Sequence, residues 1–323
     1  MNRTRLSVLI AAVATASTLA ACSKPQPVET AATPTATPAA TTPQPAPSTS
    51  QPAANADVFR FKIGTLDAVA LKDGEIDVAN DGKTFGVGQP TADVAALLSA
   101  AGLPTDALHL SIQPLLLRDG GHTVLFDTGA ADATWARAGR LQASLQAAGV
   151  APDQITDVLI SHGHPDHVGG LLTREGKLAF PQATVRLSAP EWEAMKKNPN
   201  AAALVAAITP KVTTFEPGAQ VLPGITAVAL PGHTPGHSAY EIASGSERLL
   251  YLGDAAHHYV VSVQRPQWKI EYDQDAPKAE AARRALLQRV ADENLRVYAV
   301  HFPFPGLGHV KAQGDAFVWV PEN

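Results

Sequence analysis

The amino-acid sequence predicts an α/β fold in which two mixed β-sheets pack face to face and helices cover the outside, an αββα sandwich. Two observations carry this prediction. Between residues 57 and 323, short β-like runs and helical stretches follow one another in two successive blocks. Several runs end in Gly, Asp or His, which gathers polar side chains at strand ends, where a scaffold usually presents its functional residues.

A secretory leader is predicted for residues 1–21. Arg3 and Arg5 precede an apolar stretch that is too short for a membrane span. The four residues that end in Cys22, Leu-Ala-Ala-Cys, resemble the bacterial lipobox, in which the cysteine becomes a lipid-modified N-terminus. Cys22 is the only cysteine of the chain, so an internal disulfide cannot account for it. The alternative is an ordinary signal peptide that ends near a cysteine.

Residues 22–56 are rich in Pro, Ala and Thr and almost lack aromatic and branched aliphatic side chains. Such a segment cannot bury enough apolar surface to offset its conformational entropy, so we expect a disordered tether. The folded domain is expected over residues 57–323. Together these features predict a protein of the bacterial periplasm that is anchored to a membrane through Cys22, or free in the periplasm if the lipobox is not used.

The first block of the folded domain contains four β-like runs and two helices. The runs cover residues 59–63, 68–71, 110–117 and 123–126. The last two flank Asp119-Gly120-Gly121, which is typical of a hairpin. One helix is expected to be capped by Thr91, and another covers residues 137–148 and stops at Gly149. The second hairpin strand ends at Asp127, which is either a turn residue or a carboxylate that braces a metal ligand.

The second block continues the alternation. Strands are expected at residues 156–160, 183–187, 225–230, 238–242, 248–252 and 297–300, and helices at residues 190–197, 201–208 and 277–294. The runs 238–242 and 248–252 form a hairpin, and the buried strand at 156–160 leads directly into the most informative motif of the chain.

Three histidines and a carboxylate fall within six residues of that motif: His162, His164, Asp166 and His167. No packing requirement of a soluble core calls for such a cluster, so it indicates a metal site. Alternate residues of an extended segment point the same way, so His162 and His164 can bind one ion. Asp166 and His167 turn into the following helix and face a second position.

Further along the chain, His233 stands in Pro231-Gly232-His233, Asp254 follows Gly253, and His301 follows the last strand of the second block. With these motifs the chain resembles the metallo-β-lactamase-fold hydrolases over nearly the whole region from Val58 to Asn323. The segment from His301 to Val310 is similar to that of methyl parathion hydrolase and its lactonase-like relatives.

The resemblance implies a site with two divalent metal ions. His162, His164 and His233 would hold the first zinc, Asp166, His167 and His301 the second, and Asp254 would bridge them. Histidine-rich ligation favours zinc, with cobalt, manganese and iron as alternatives.

The same resemblance implies a reaction. A hydroxide bridging the two ions would attack a lactone, an ester or an organophosphate triester, and Asp166 would orient it and take its proton. The substrate is expected to be a neutral, moderately apolar small molecule.

The remaining histidines and several aromatic residues carry weaker expectations. His237 and His309 are expected behind ligands or in loop packing, and His109 and His122 at the surface, while His257 and His258 either line the pocket or lie at the surface. Six aromatic residues are candidates for the pocket walls, although core packing is the more frequent role for each: Phe180, Trp192, Phe215, Trp268, Phe302 and Phe304.

Charge and motif content narrow the function classes. The formal net charge of −5 becomes about −7 without Arg3 and Arg5, which disfavours nucleic acid as a partner. A metallo-β-lactamase is the first alternative, disfavoured by the carboxylate at Asp254 and by the motif from Phe304 to His309. A non-catalytic metal-binding lipoprotein is the second, disfavoured because both ligand sets are complete. The oligomeric state stays open, a homodimer included.

Overall fold

The computed structural model describes residues 56–322. The leader, the lipid anchor at Cys22 and all of the tether except Ala56 lie outside these residues and stay predictions. Within residues 56–322, no helix combines the length and the apolar character needed to cross a membrane.

The described residues form strands and helices in two blocks. The strands are β1 (Val58–Ile63), β2 (Leu66–Leu71), β3 (Gly74–Ala79), β4 (Ala107–Ile112), β5 (Leu115–Arg118), β6 (Thr123–Phe126), β7 (Asp157–Leu159), β8 (Thr184–Ser188), β9 (Val212–Phe215), β10 (Gln220–Leu222), β11 (Ile225–Ala229), β12 (Ser238–Ser244), β13 (Glu247–Tyr251), β14 (Arg296–Tyr298), β15 (Leu307–Gln313) and β16 (Ala316–Pro321). The helices are α1 (Thr91–Ala100), α2 (Leu141–Ala148), α3 (Pro165–Val168), α4 (Ala189–Lys197), α5 (Ala202–Ile208), α6 (Val261–Gln264) and α7 (Ala276–Asp292).

Two seven-stranded mixed sheets form the centre of the fold. The first has the order β1-β2-β5-β6-β7-β8-β9, and the second runs from β10 to β16 in sequence order. Strands β6 to β9 pair in parallel, as do β13 and β14, while the other pairs in the two sheets are antiparallel. The predicted sandwich of two mixed sheets is confirmed.

Three apolar layers hold the sandwich together. Between the sheets, Phe126 of the first packs with Tyr240 and Tyr251 of the second. Helices α2 and α4 cover the outer face of the first sheet, and α7 covers that of the second. Apolar burial on both faces of a sheet explains why a central strand such as β6, Thr-Val-Leu-Phe, is almost uniformly apolar rather than alternating.

The predicted strand at residues 110–117 is two strands. Its first half belongs to β4, which pairs with β3 as a separate hairpin, and its second half is β5 of the first sheet. Pro114 lies at the break, because proline has no N–H to donate to a ladder. The chain therefore leaves one sheet and enters another within three residues.

Two predicted helix starts are corrected. Thr91 is the first residue of α1 rather than its cap, because Pro90 occupies that position and no side chain caps the helix. Helix α2 begins at Leu141 rather than Arg137, because Arg137 pairs through its backbone with Glu75 of β3. Gly149 ends α2 in the left-handed conformation, with a φ of 77°, as the sequence predicted.

Candidate metal centre

The motif that follows β7 is shaped by its neighbours in α4. A side chain at Gly163 would lie 2.6 Å from Met195, so only glycine fits there. The Gly163 N–H donates to the buried carboxylate of Glu191 at 2.8 Å. The same carboxylate accepts from Thr234 and from the Gly236 N–H at 2.7 and 2.9 Å. Glu191, which the sequence analysis did not single out, thus ties the two histidine-bearing loops together.

The structure brings His162, His164 and His233 around one point. His162 Nε2 lies 3.0 Å from His164 Nδ1 and 3.1 Å from His233 Nε2, and the last two nitrogens are 2.9 Å apart. Asp254 Oδ2 lies 3.5 Å from His162 Nε2 and 3.3 Å from His233 Nε2. We call these four donors the first set.

Asp166, His167 and His301 surround a second point. Asp166 Oδ2 lies 3.5 Å from His167 Nε2 and 3.4 Å from His301 Nε2. Asp254 Oδ1 lies 3.1 Å from each of those two nitrogens. These four donors form the second set, and Asp254 belongs to both, with one carboxylate oxygen directed to each.

The spacing of the donors fits metal ions. A tetrahedral zinc ion with ligands at about 2.0–2.1 Å separates neighbouring donor atoms by roughly 3.3 Å, close to the distances within both sets. His167 Nε2 and Asp254 Oδ1 are buried and have no hydrogen bond of acceptable geometry. Such buried polar atoms call for a partner, and a cation between them would satisfy both.

The outward-facing nitrogens of the donor histidines are held by hydrogen bonds. His167 Nδ1 donates to Asp127 at 2.7 Å, His233 Nδ1 to Asp273 at 2.9 Å, and His301 Nδ1 to the Ser111 carbonyl at 2.7 Å. Each bond puts the ring proton on Nδ1 and leaves the Nε2 lone pair facing the centre. Of these partners, only Asp127 is marked by the sequence pattern, because it ends a predicted strand.

Asp127 is a bracing carboxylate and not merely a turn residue. It is fully buried and also accepts from the Ser161 hydroxyl at 2.6 Å and the Tyr251 hydroxyl at 2.7 Å. Ser161 Oγ in turn lies 3.0 Å from His162 Nδ1. One carboxylate therefore supports histidines in both donor sets.

Burial and charge set the protonation of the donor histidines. Burial lowers the pKa of His164 to about 4 and that of His162 well below its ordinary value. Both rings are thus neutral at pH 7, the form that binds metals. Burial also acts to lower the pKa of His167, but the carboxylates of Asp254 and Asp166 outweigh it and raise that pKa well above its ordinary value. This strongly negative surrounding attracts cations.

A cavity of about 490 Å³ opens onto the donors. Its lining consists of Ile76, Asp77, Val78, Ala79, Leu110, Trp135, His164, Pro165, Asp166, Asp254, His257, Tyr272 and His301. Hairpin β3–β4 supplies the apolar side, and Trp135 and Tyr272 supply exposed aromatic rings. A pocket with apolar walls and a few polar groups is typical of a small-molecule site.

The six aromatic residues considered as pocket walls do not line this cavity. Phe180, Trp192 and Phe302 are buried in the cores, and Phe215, Phe304 and Trp268 pack against core clusters. These six side chains pack in or against the apolar cores. The cavity is lined instead by residues of the separate hairpin β3–β4 and of nearby loops.

The other histidines separate into two groups. Buried His237 accepts from the Asp254 N–H at 2.9 Å and so supports a donor from behind, as expected. His257 is buried in the cavity wall with Nε2 3.1 Å from Asp254. His258 is also buried, where its Nδ1 caps the start of α6, so the surface alternative for both is wrong.

The remaining three histidines take no part in the donor sets. His109 is exposed beside Asp77, and His122 is partly exposed beside Asp157. His309 lies on β15, 3.5 Å from Glu322, so it belongs to a strand rather than to a loop or the back of a ligand.

The fold and the centre define the class of the protein as a metal-dependent hydrolase, with donors from several strand ends meeting at an open cavity. Comparison with known proteins gives the family. A family model described as the metallo-beta-lactamase superfamily matches residues 111–301, more than half of the chain. The chain belongs to this superfamily.

Individual relatives agree with this assignment. The chain is 36% identical over 118 residues to metallo-beta-lactamase domain-containing protein 1 of Xenopus laevis, which covers 36% of this chain and 42% of that protein. The chain spans about half the length of the curated relatives that it matches.

Two solved structures are similar over most of the chain. AidC, described as a dizinc quorum-quenching lactonase, is 30% identical with a TM-score of 0.79, covering 82% of this chain and 97% of its own. The hydrolase AbOPH is 28% identical with a TM-score of 0.76, covering 83% of this chain and 98% of its own.

Proposed function

We propose that this protein is a dinuclear zinc-dependent hydrolase that cleaves a lactone, an ester or an organophosphate triester. The observation that carries the proposal is Asp254, whose two carboxylate oxygens face separate donor sets at 3.1–3.5 Å. A carboxylate in this position suits a bridge between two cations. The similarity to a dizinc lactonase supports both the ion count and the substrate class.

In this proposal the first zinc is held by His162, His164 and His233, the second by Asp166, His167 and His301, and both by Asp254. When bound, two divalent ions supply an acidified water as nucleophile and a Lewis acid for the substrate's C=O or P=O oxygen. The remaining tasks belong to the chain's own residues.

Among the donors, Asp166 is the one placed to act on the attacking water. Its side chain is 14% exposed and lines the cavity, whereas the Asp254 and His301 side chains are at most 4% exposed. Asp166 can therefore orient the attacking water and take its proton. Burial tends to raise the pKa of Asp166, but His167 and His301 next to it outweigh this effect and hold that pKa below the ordinary value, so the carboxylate is ionised and can accept a hydrogen bond from the water.

The cavity supports a neutral, moderately apolar substrate. Ile76, Val78 and Leu110 offer aliphatic contacts along one side, and Trp135 stands at the opening with half of its surface exposed. Among the charged side chains that line the cavity, none is a lysine or arginine. A polyanionic substrate would find no basic side chain to pair with there, which favours the lactonase and phosphotriesterase-like group of this superfamily.

The test is metal analysis of the mature protein coupled to a hydrolysis panel. We expect two equivalents of zinc and turnover of lactones, aryl esters or phosphotriesters that is lost on chelation and restored by zinc. Turnover that survives complete chelation would contradict the proposal. Faster cleavage of a chromogenic cephalosporin than of any ester would favour the metallo-β-lactamase alternative instead.

The cellular location is a separate proposal that rests on the sequence alone. A lipid on Cys22 would anchor the enzyme to a membrane on the periplasmic side, with residues 22–56 as the tether. Metabolic palmitate labelling should mark the protein, and globomycin should shift its size. A protein that takes up no label and shows no shift would remove the lipid anchor.

A further inference from the structure

Helix α7 carries a fully buried arginine directly behind the first donor set. Arg283 donates to Asp273 Oδ2 at 2.6 Å, to the Ala255 carbonyl at 2.9 Å and to the Pro266 carbonyl at 2.9 Å. Its side chain is 1% exposed, and that of Asp273 is not exposed at all. A buried charge of this kind is costly unless its partners satisfy it completely.

The partners of Arg283 lead to two members of the first set. Asp273 Oδ1 accepts from His233 Nδ1 at 2.9 Å, so the ion pair continues into a donor ring. Ala255 directly follows Asp254, so its carbonyl fixes the loop that carries the shared carboxylate. One arginine thus ties the positions of His233 and Asp254 to the same helix.

Backbone hydrogen bonds also hold the His233 loop to the residues that directly precede α7. The Gln274 N–H donates to the His233 carbonyl at 3.1 Å, and the Asp275 N–H to the Gly232 carbonyl at 2.9 Å. Gly232 has a φ of 135°, and a side chain there would lie 2.3 Å from the Ala279 nitrogen. The loop can approach α7 this closely only because residue 232 is glycine.

The two donor sets differ in the groups that brace their histidines. His167 of the second set is braced by Asp127, whose hydrogen bonds from Tyr251 and Ser161 come from uncharged groups. His301 is braced by a backbone carbonyl. Of the two bracing carboxylates, only Asp273 has an arginine among its described contacts.

We propose that Asp273 and Arg283 are positioning residues for the first metal ion: the buried pair orients His233, which belongs to the first set alone, and so affects the affinity of the first set far more than that of the second. The inference rests on the proposed metal ligation. Removing a carboxylate that orients a metal-bound histidine typically lowers metal affinity roughly 10- to 100-fold.

The test compares metal affinities at the two positions separately. Protein stripped of metal is titrated with Zn²⁺ or Co²⁺ in competition with a chromogenic chelator, which yields two binding constants. His164→Ala and His301→Ala each remove a donor from one set only, and so identify which constant belongs to which position. The matched pair of variants is then Asp273→Asn and Asp127→Asn.

Asp273→Asn should weaken the first constant roughly 10- to 100-fold and leave the second within about threefold of wild type. Arg283→Lys should act in the same direction, because a lysine lacks the forked donors that reach three acceptors. Arg289→Lys, a partly exposed position on the same helix, should change neither constant.

Thermal unfolding separates positioning from a general effect on the fold. A lower melting temperature with both constants unchanged, or an equal weakening of both constants, would overturn the inference. If Arg283→Lys does not fold, Asp273→Asn decides alone, because asparagine keeps the shape of the side chain. A wild-type protein that binds fewer than two ions would contradict the proposed function rather than this inference.

Discussion

The two donor sets share Asp254 yet differ in charge. The first set has three histidines and no carboxylate besides the shared Asp254, and the charge of its bracing Asp273 is offset by Arg283. The second set includes Asp166, and its bracing Asp127 accepts, apart from the bond from His167, only from uncharged groups such as Ser161 and Tyr251. The second metal position therefore lies in the more negative surroundings, so its metal affinity should depend mainly on charge. The metal affinity of the first position should depend mainly on how precisely its histidines are held.

The largest effect is expected where the two sets meet. Asp254→Asn removes the charge shared by both, so metal binding should fall at both positions and turnover should drop on the order of a thousandfold, equivalent to several kcal/mol of lost stabilisation. Metal stoichiometry and kcat/KM measured on the same preparation test this. Loss of only one ion would mean that Asp254 does not bridge.

Asp166→Asn should affect the second set alone. It removes the only carboxylate specific to that set and the group proposed to take the proton, so turnover should fall at least a hundredfold, about 2.7 kcal/mol in the barrier. The first binding constant should stay unchanged, and circular dichroism should match that of wild type. Near wild-type activity with confirmed metal content would contradict both roles.

Asp127→Asn should weaken the second constant roughly 10- to 100-fold, with a smaller effect on the first through Ser161 and His162. It is the counterpart of Asp273→Asn in the same chelator competition. If both variants had their largest effect on the same position, the separation of the two bracing systems would be wrong.

A change in the cavity wall should affect neither set. Trp135→Ala removes an exposed aromatic surface, so KM for apolar esters should rise severalfold, as expected for the loss of roughly 1 kcal/mol of contact. Both metal constants and kcat should stay near those of wild type. An unchanged KM across substrates of increasing chain length would exclude Trp135 from substrate binding.

The smallest effect on the metal centre is expected from removing the ion pair between Asp157 and Arg186 in the first sheet. Burial tends to raise the pKa of Asp157, but hydrogen bonds from Arg186, His122 and Thr156 outweigh it and hold that pKa below 3.8. The carboxylate therefore stabilises the fold well above pH 3.8, and this contribution is lost as the pH falls through the lower folded-state pKa.

Asp157→Asn should lower the free energy of unfolding by about 1–3 kcal/mol at pH 7 without changing either metal constant. The difference from wild type, measured by urea unfolding, should shrink as the pH is lowered below 3.8. A difference that grows towards acid would contradict the assigned direction.

Local patterns predicted the sandwich and the candidate residues at strand ends, and the resemblance to the metallo-β-lactamase-fold hydrolases selected the seven that meet in the metal centre. His162, His164, Asp166 and His167 are neighbours in sequence, and His233, Asp254 and His301 each follow a β-run, which is visible without tertiary information. The supporting residues carry no such signal. Asp273 and Arg283 look like an ordinary loop acid and helix base until α7 packs against the His233 loop.

The cavity wall could not be predicted for a related reason. The apolar run from Leu110 to Leu117 has the composition of one strand, and only Pro114 indicates that it divides. Which half would join the first sheet and which would form hairpin β3–β4 depends on partners more than thirty residues away. Aromatic residues were better guides to the core than to the wall.

Hairpin β3–β4 and the residues that follow it both line the cavity and hold the loop that carries His301. Ile76, Val78 and Leu110 line the cavity, while the Ser111 N–H donates to the His301 carbonyl at 3.0 Å and the Ser111 carbonyl accepts from His301 Nδ1 at 2.7 Å. Gln113, fully buried, holds the same loop through the Ala299 and Phe302 carbonyls at 2.8 and 3.0 Å. A library meant to redirect substrate preference should randomise Ile76, Val78 and Trp135 while keeping Ser111 and Gln113 constant, so that diversity enters the wall without loosening the metal.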